Sequence, residues 1–157
     1  MSSIASVQEE IIDEFSILDG DFEMTINYLM ELGEQMPEMP EALKTEENIV
    51  KGCQSKVWLS ANLENDKVKF TGDSNTAITK GLVSLLIRVY SNQSAEAIAK
   101  EEITFPDKIG MNRFIGTQRS NGFAAMIKQI KLYAVALGLQ QTANNKLGYY
   151  GCRTVNR

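Results

Sequence analysis

The chain has 157 residues, which is enough for one domain with a sizeable core, and its net charge of −4 argues against nucleic acid or an anionic membrane as partner. It contains no histidine, which excludes a Ser-His-Asp triad, a Cys-His dyad and any His-containing metal site within the chain. Its two cysteines, Cys53 and Cys152, cannot form a Cys-rich zinc site alone.

The first twelve residues have neither the basic start nor the apolar core of a signal peptide. We find no apolar run long enough to span a bilayer. We therefore expect a cytoplasmic protein with no membrane or nucleic acid partner. In that compartment a structural disulfide between Cys53 and Cys152 is not expected.

Two amphipathic helices are predicted at the start of the chain. Gly20 separates them, Asp21 is a good N-cap for the second, and Gly33 is placed to end it. Residues 34–50 should be irregular, because their two prolines interrupt regular helix and their acidic residues favour solvent. Apolar residues recur at helical spacing in both helices, at Val7, Ile11, Phe15 and Leu18, and at Phe22, Ile26, Leu29 and Met30.

A β-hairpin is predicted next, from alternating apolar and polar residues over 56–64 and 67–70. Asn65 and Asp66 would form its turn, because both tolerate left-handed backbone angles. Trp58 has the opposite strand parity to Val57 and Leu59, so it faces away from their side.

Helices follow the hairpin. We interpret Gly72-Asp73-Ser74 as a break before a long helix, in which Gly81 marks a close approach of two backbones. Ser94 should cap a short helix that runs through Ile98, and another short helix is expected around residues 106–111. Ser120 should cap the last strong helix, with Gly138 at its end and Lys128 and Lys131 pointing away from the core.

This order of elements predicts an α+β fold with a small antiparallel sheet packed against several helices. The folded domain would comprise residues 1–138. Residues 139–157 are polar and aperiodic, so we expect a flexible C-terminal tail that includes Cys152.

Cys53 lies in a bend directly before the first strand. Gly52 allows a sharp turn there, and Gln54 and Ser55 continue a loop rather than a core segment. Lys51 and Lys56 place two positive charges nearby, which would favour the thiolate. The simpler interpretation of Cys53 is a buried cysteine acting as a small apolar residue, which is common.

Several short motifs, in a fixed order, resemble the SufE family, the sulfur-acceptor partners of cysteine desulfurases. The resemblance covers about residues 22–137, and the tail with Cys152 falls outside it. The motifs are Glu31-Leu32-Gly33, Pro37-Glu38, Gly52-Cys53-Gln54-Ser55 with Val57-Trp58, Gly72-Asp73-Ser74 with Ala77-Ile78 and Lys80-Gly81-Leu82, and Arg119-Ser120 with Gly122 and Ala125-Met126-Ile127.

The resemblance implies that Cys53 accepts sulfur as a persulfide from a SufS-like cysteine desulfurase, stimulates that enzyme, and passes the sulfur to an iron–sulfur scaffold complex. Pyridoxal phosphate would belong to the desulfurase, so this chain needs no cofactor and is a carrier rather than an enzyme. The family fold is a small antiparallel sheet on helices, also seen in IscU-type scaffolds. The protein would be a monomer or a homodimer.

The resemblance also points to other residues of the site. Arg119 would support the thiolate or assist docking, with an ordinary surface cation as the alternative. Asp73 is better explained as a helix cap than as a catalytic group, and Trp58 as core or pocket lining. Because a persulfide must be sheltered from small thiols, we expect Cys53 to be largely buried in the free protein and to turn outward on the desulfurase.

Two other functions remain open at this stage. One is an IscU-like cluster scaffold, although such a site needs several cysteines together and Cys53 stands alone. The other is a cysteine-dependent hydrolase or peroxidase, in which Cys152 would have to act as the resolving thiol.

Overall fold

The computed structural model describes the backbone of residues 2–155 and the side chains of residues 2–147. The predicted α+β class is confirmed: one two-stranded antiparallel sheet packs against several helices. In chain order the elements are α1 (Ile4–Ser16), α2 (Phe22–Gln35), two short 3₁₀ turns (Glu41–Leu43 and Glu46–Asn48), β1 (Val57–Glu64), β2 (Lys67–Ser74), α3 (Ala77–Tyr90), α4 (Ala95–Lys100), α5 (Phe105–Lys108) and α6 (Met111–Val155).

Two of the predicted helix caps are confirmed. The Asp21 carboxylate accepts the amide of Met24 at 2.8 Å, and the Ser94 hydroxyl accepts the amide of Ala97 at 3.1 Å. Each bond satisfies an amide that has no partner within the helix. The predicted end of α2 at Gly33 is wrong, since the helix continues to Gln35.

The hairpin turn is also confirmed. Asn65 and Asp66 have φ of 51° and 64°, as a tight turn between two twisted strands requires. The strand β2 extends further than predicted, through Gly72 to Ser74, so the break predicted there is wrong. The reason is packing: a Cβ on Gly72 would lie 2.8 Å from Cγ1 of Val83, so this glycine lets α3 approach the sheet.

A close contact joins α2 to α3 through Gly33 and Gly81. A Cβ on Gly81 would lie 2.0 Å from the carbonyl oxygen of Leu29, and one on Gly33 would lie 2.8 Å from the amide nitrogen of Gly81. The predicted close backbone approach at Gly81 is confirmed. Gly33 therefore stays inside its helix because it serves this contact.

The last helix, α6, is interrupted at Gly116, whose φ of 79° and ψ of 171° are not helical. Ser120 lies inside the helix and bonds Asn112 instead of capping a helix start. The helix also continues past Gly138, where its end was predicted; a glycine inside a helix costs only about 1 kcal/mol. The proposed flexibility of residues 139–157 stays a prediction, and the Cys152 side chain lies outside the described residues.

Over Met111–Leu147, α6 is long and apolar enough to cross a membrane by length and composition, contrary to the sequence-based expectation. Core helices of folded domains meet the same criteria, and α6 packs against α3, α4 and β1. Its Phe123, Met126, Ile130 and Ala134 are buried in the common core. Lys131 was expected to point away, but its ammonium donates to carbonyls at the end of α4. We interpret α6 as an amphipathic helix that places one face in the core.

Gly81→Ala should reduce the free energy of unfolding by about 2 kcal/mol or more, because the added methyl group overlaps the backbone of α2. Urea unfolding followed by circular dichroism measures this loss. Gly138→Ala is the matched control: its Cβ would meet only the Ala95 methyl group at 3.3 Å, and its higher helix propensity should offset any strain. Equal stability of the two variants would contradict the predicted backbone contact.

Candidate functional site

A cavity of about 340 Å³ opens beside Cys53, between the loop of residues 51–56, helix α3 and helix α6. Its polar rim comes from the loop and from the stretch around the break in α6, whereas α3 and the inner face of α6 supply apolar side chains. The lining residues are Cys53, Gln54, Ser55, Thr79, Leu82, Ile115, Gly116, Thr117, Gln118, Arg119, Gly122 and Met126.

The loop that carries Cys53 is held firmly at its base. The amide of Val50 donates to the carbonyl of Val57 at 2.8 Å, which closes the loop. On the other side, the Lys56 amide donates to the Asn75 side chain at 3.0 Å, and the Lys56 carbonyl accepts the Ser74 hydroxyl at 2.9 Å. The rigid start of β1 therefore sets the position of the loop.

The tip of the loop bends at Gly52, whose φ of 94° is unfavourable for residues with a side chain. This bend directs the Cys53 side chain toward α6, where its thiol donates a hydrogen bond to the carbonyl of Gly122 at 3.5 Å. Cys53 is partly buried, and its thiol is free. The sequence thus located the cysteine loop correctly.

Burial raises the pKa of the Cys53 thiol above its usual value. The sequence led us to expect the opposite, because Lys51 and Lys56 are adjacent along the chain. Both lysines are exposed, so the desolvation of a thiolate at the cavity outweighs their charges. In the free protein the thiol therefore favours its protonated form.

Arg119 lies on the same cavity as Cys53, as the sequence suggested. Its side chain is exposed, and its guanidinium donates to the carbonyl of Ile115 at 3.4 Å, across the break at Gly116. Among residues 2–147 this guanidinium has no other hydrogen bond or ion pair, so most of its five donors can meet an anion. The break in α6 is what brings this cation to the mouth of the cavity.

Ser55 and Gln54 also line the cavity, which agrees with their assignment to the cysteine loop. The Ser55 hydroxyl lies 2.8 Å from that of Thr76 and accepts a longer bond of 3.4 Å from Thr79. Thr79 is a buried residue that the sequence analysis missed. Its spacing of three residues from Leu82, on one face of α3, was the available signal.

Two other predicted site residues, Trp58 and Asp73, do not line this cavity. They are cross-strand partners, and both contact Lys44, the residue that follows the first 3₁₀ segment. The Lys44 ammonium lies 2.7 Å from the Asp73 carboxylate and 5.9 Å from the centre of the Trp58 ring. Lys80 adds a second, longer ion pair to Asp73 at 3.5 Å. These residues attach the segment before the cysteine loop to the sheet.

The environment of Asp73 favours its charged form. Burial alone would raise the pKa of its carboxyl group, but the bond from Lys44, the bond from the Ser74 amide and the charge of Lys80 together lower it. Because the pKa is lower in the folded protein than in the unfolded chain, this contribution to stability is complete at neutral pH. It is lost as the pH falls through the folded-state pKa.

Among the described residues, no group of three or more His, Cys, Asp or Glu side chains is gathered in one place. A cluster scaffold needs such a set of donors. The described part of the chain therefore provides no donor set for the scaffold alternative.

Comparison with known proteins identifies the family. The model of the family described as "SufE: Fe-S metabolism associated domain" matches residues 9–134. The chain belongs to the SufE family. An uncharacterized SufE-like protein of Rhizobium meliloti (strain 1021) is 38% identical over 128 residues, covering 78% of this chain and 91% of its own. Another, from Rhizobium etli, is 41% identical over 128 residues, covering 78% of this chain and 86% of its own.

A solved structure supports the fold. The solution structure of a hypothetical protein from Thermus thermophilus superimposes with a TM-score of 0.69, covering 83% of this chain and 95% of that one. Its sequence identity is 20%, so it shows the fold alone. Family membership assigns the chain to the handling of sulfur for iron–sulfur clusters and implies interaction with a cysteine desulfurase. Members of the family generally act as carriers or activators rather than as catalysts.

The raised pKa of Cys53 predicts slow alkylation by iodoacetamide near neutral pH, because only the thiolate reacts. In a Cys152→Ser background, the alkylation rate should reach half its maximum at a higher pH than that of a peptide of residues 49–58, whose thiol should titrate near ~8.5. The pKa of this thiol is higher in the folded protein than in the unfolded chain. The neutral thiol therefore contributes fully to the free energy of unfolding below the unfolded-state pKa, and this contribution is lost as the pH rises through the folded-state pKa. A midpoint at or below that of the peptide would contradict this assignment.

Proposed function

We propose that Cys53 accepts sulfur as a persulfide from a pyridoxal-phosphate-dependent cysteine desulfurase, stimulates that enzyme, and passes the sulfur to iron–sulfur cluster assembly. The observation that carries this proposal is the placement of Cys53 at the tip of a closed loop, beside a cavity that also contains Arg119. A thiol at a loop tip can enter the site of another protein. The adjacent cavity has room for a second sulfur atom.

The transfer requires no general base on this chain. The Cys53 thiol loses its proton to solvent, and the thiolate attacks the outer sulfur of the desulfurase persulfide. A new S–S bond forms on Cys53 as the bond in the donor breaks, and the donor sulfur leaves as a thiolate. The absence of histidine from the sequence is compatible with this chemistry. The raised pKa reduces the thiolate fraction but increases the nucleophilicity of the thiolate that forms.

Arg119 has two roles that its position supports. Its guanidinium at the cavity mouth can stabilise an anionic sulfur on Cys53, or it can contact an acidic group of the desulfurase. Both roles use guanidinium N–H groups that are not bonded to Ile115. The break at Gly116 determines where the backbone of Arg119 lies relative to the cavity. We assign Arg119 to the site and leave the choice between the roles to experiment.

The protein would act in the cytoplasm, as a monomer or homodimer, with a SufS-like desulfurase upstream and an iron–sulfur scaffold complex downstream. The negative net charge supports protein partners over nucleic acid. Pyridoxal phosphate would be supplied by the desulfurase.

Incubation with a SufS-like desulfurase and free cysteine should add the mass of a sulfur atom to the protein, and a reducing agent should remove it. Intact-mass spectrometry measures this gain. Cys53→Ser should not gain the sulfur, because it has no thiol to accept it, whereas Cys152→Ser should gain it normally. Retention of the added sulfur in Cys53→Ser would assign the acceptor elsewhere.

Arg119→Gln should slow sulfur acceptance about tenfold, the lower end expected for losing a hydrogen bond to a charged group. Arg113→Gln, an exposed cation on the same helix that does not line the cavity, is the matched control. Single-turnover transfer at several desulfurase concentrations measures the rate. If the transfer rate stays low at saturating desulfurase and the alkylation midpoint of Cys53 rises, Arg119 supports the thiolate. If the rate is low only at low desulfurase concentrations, Arg119 acts in docking. An unchanged rate at every concentration would remove Arg119 from the site.

A further inference from the structure

Gly122 belongs to a motif that the sequence analysis singled out but that the transfer chemistry does not use. It lies inside α6 with helical backbone angles, where alanine would favour the helix by about 1 kcal/mol. A Cβ at this position would lie 3.3 Å from Sγ of Cys53 and 3.7 Å from both its Cα and Cβ. The glycine therefore leaves the space in which the thiol lies.

The backbone of Gly122 also binds that thiol. Its carbonyl oxygen accepts the S–H hydrogen bond of Cys53 at 3.5 Å. The base of the loop is fixed by bonds to β1 and to residues 74 and 75, whereas the tip meets α6 at two places. One is this hydrogen bond, and the other is the approach of Gly52 to Ala125, where an added Cβ would lie 3.4 Å from the Ala125 methyl group.

We propose that Gly122 is a positioning residue that holds the unloaded Cys53 inward, and that loading Cys53 with sulfur releases the tip of the loop. This proposal rests on the proposed function, because it links the position of the loop to whether Cys53 carries a transferred sulfur atom. Gly122 contributes in two ways: its carbonyl binds the thiol, and its missing side chain leaves room for it.

The link between sulfur loading and loop position follows from whether Sγ of Cys53 carries a hydrogen atom. An unloaded, protonated Cys53 carries the hydrogen that Gly122 binds. During transfer that proton leaves to solvent, and Sγ forms its bond to the outer sulfur as the donor bond breaks and the donor thiolate departs. The Sγ atom of the loaded protein has no hydrogen, so it has nothing to donate. A thiolate also lacks the hydrogen, and its charge would face a carbonyl oxygen.

The raised pKa of Cys53 agrees with this geometry, because a buried and protonated thiol is the form that can donate. The hydrogen bond thus exists in the free, empty carrier and is absent in the loaded one. Loss of the bond makes outward rotation easier when the sulfur has to be delivered. After delivery, protonation restores the donor and the inward position.

The first test compares two glycine-to-alanine variants of α6 in a Cys152→Ser background. In Gly122→Ala the added methyl group pushes against Sγ of Cys53, so alkylation of Cys53 should become about two- to tenfold faster, the range that corresponds to one net hydrogen bond. Gly138→Ala, with its methyl group also 3.3 Å from the nearest side chain, should alkylate at the unchanged rate. An unchanged or slower rate in Gly122→Ala would overturn the proposal.

The second test changes the donor and leaves α6 intact, so it remains decisive where Gly122→Ala fails to fold. Cys53→Ser keeps a hydrogen to donate, and Cys53→Ala does not. Hydrogen–deuterium exchange of a peptide covering residues 51–56 should be slow in wild type and Cys53→Ser, and about two- to tenfold faster in Cys53→Ala. Equal exchange in the serine and alanine variants, whether fast or slow, would overturn the proposal.

Sulfur loading separates this proposal from the proposed function. Wild-type protein loaded by a desulfurase should show the fast exchange of Cys53→Ala, and reduction should restore slow exchange. A protein that gains sulfur but keeps slow exchange refutes the release and leaves the acceptor role intact. A protein that gains no sulfur refutes the acceptor role, while the two variant comparisons still decide whether Gly122 holds the thiol.

Discussion

The hydrogen bond from the amide of Val50 to the carbonyl of Val57 determines what the cysteine loop can do. It closes the loop at the first residue of a strand whose register with β2 is fixed over its full length. The base of the loop therefore cannot shift without disturbing the sheet. The tip has no comparable backbone contact in the described structure, so any opening of the loop would involve mainly the residues around Cys53.

Under the proposed function, the protein would face two opposing requirements, and the burial of Cys53 would be a compromise between them. Complete burial would protect the sulfur but would raise the free energy of the thiolate that must form. Full exposure would favour the thiolate but leave a persulfide open to small thiols. Half-burial beside a cavity, with the exposed cation of Arg119 on the same cavity, lies between these extremes.

The features that local sequence predicted correctly depend on one or two neighbouring residues. Asn65 and Asp66 form the turn, Asp21 and Ser94 cap their helices, and the bend at Gly52 starts the cysteine loop. Each of these is decided by backbone angles or by an amide three residues away. Such interactions can be predicted from residue type and spacing alone.

The wrong predictions depend on contacts between residues far apart in the chain. The partner of Asp73 and Trp58 is Lys44, in a segment without any periodic pattern that would indicate where it lies. The effect of Lys51 and Lys56 on Cys53 was judged from nearness in sequence, whereas its pKa depends on how much solvent α6 excludes. Desolvation depends on the whole fold, so no local pattern predicts it.

The glycines show the same limit, because one residue type serves three different physical needs. Gly52 and Gly116 have backbone angles that a side chain would oppose, Gly81 admits the backbone of another helix, and Gly122 admits a sulfur atom. The sequence alone supports the first need where a turn is predicted. It also supported the close backbone approach at Gly81, but no local pattern indicated that Gly122 leaves room for a sulfur atom.

The contact between the tip of the loop and α6 is weak, and this weakness affects how easily the loop could open. A hydrogen bond between Cys53 and Gly122 contributes about 1 kcal/mol net, because water offers the thiol and the carbonyl comparable partners. The loss of a contact of that size would change the ratio of outward to inward positions by no more than roughly tenfold. The loop can therefore open without unfolding the sheet or α6. A stronger contact would oppose the entry of the thiol into a partner, so a weak bond suits the release that we propose.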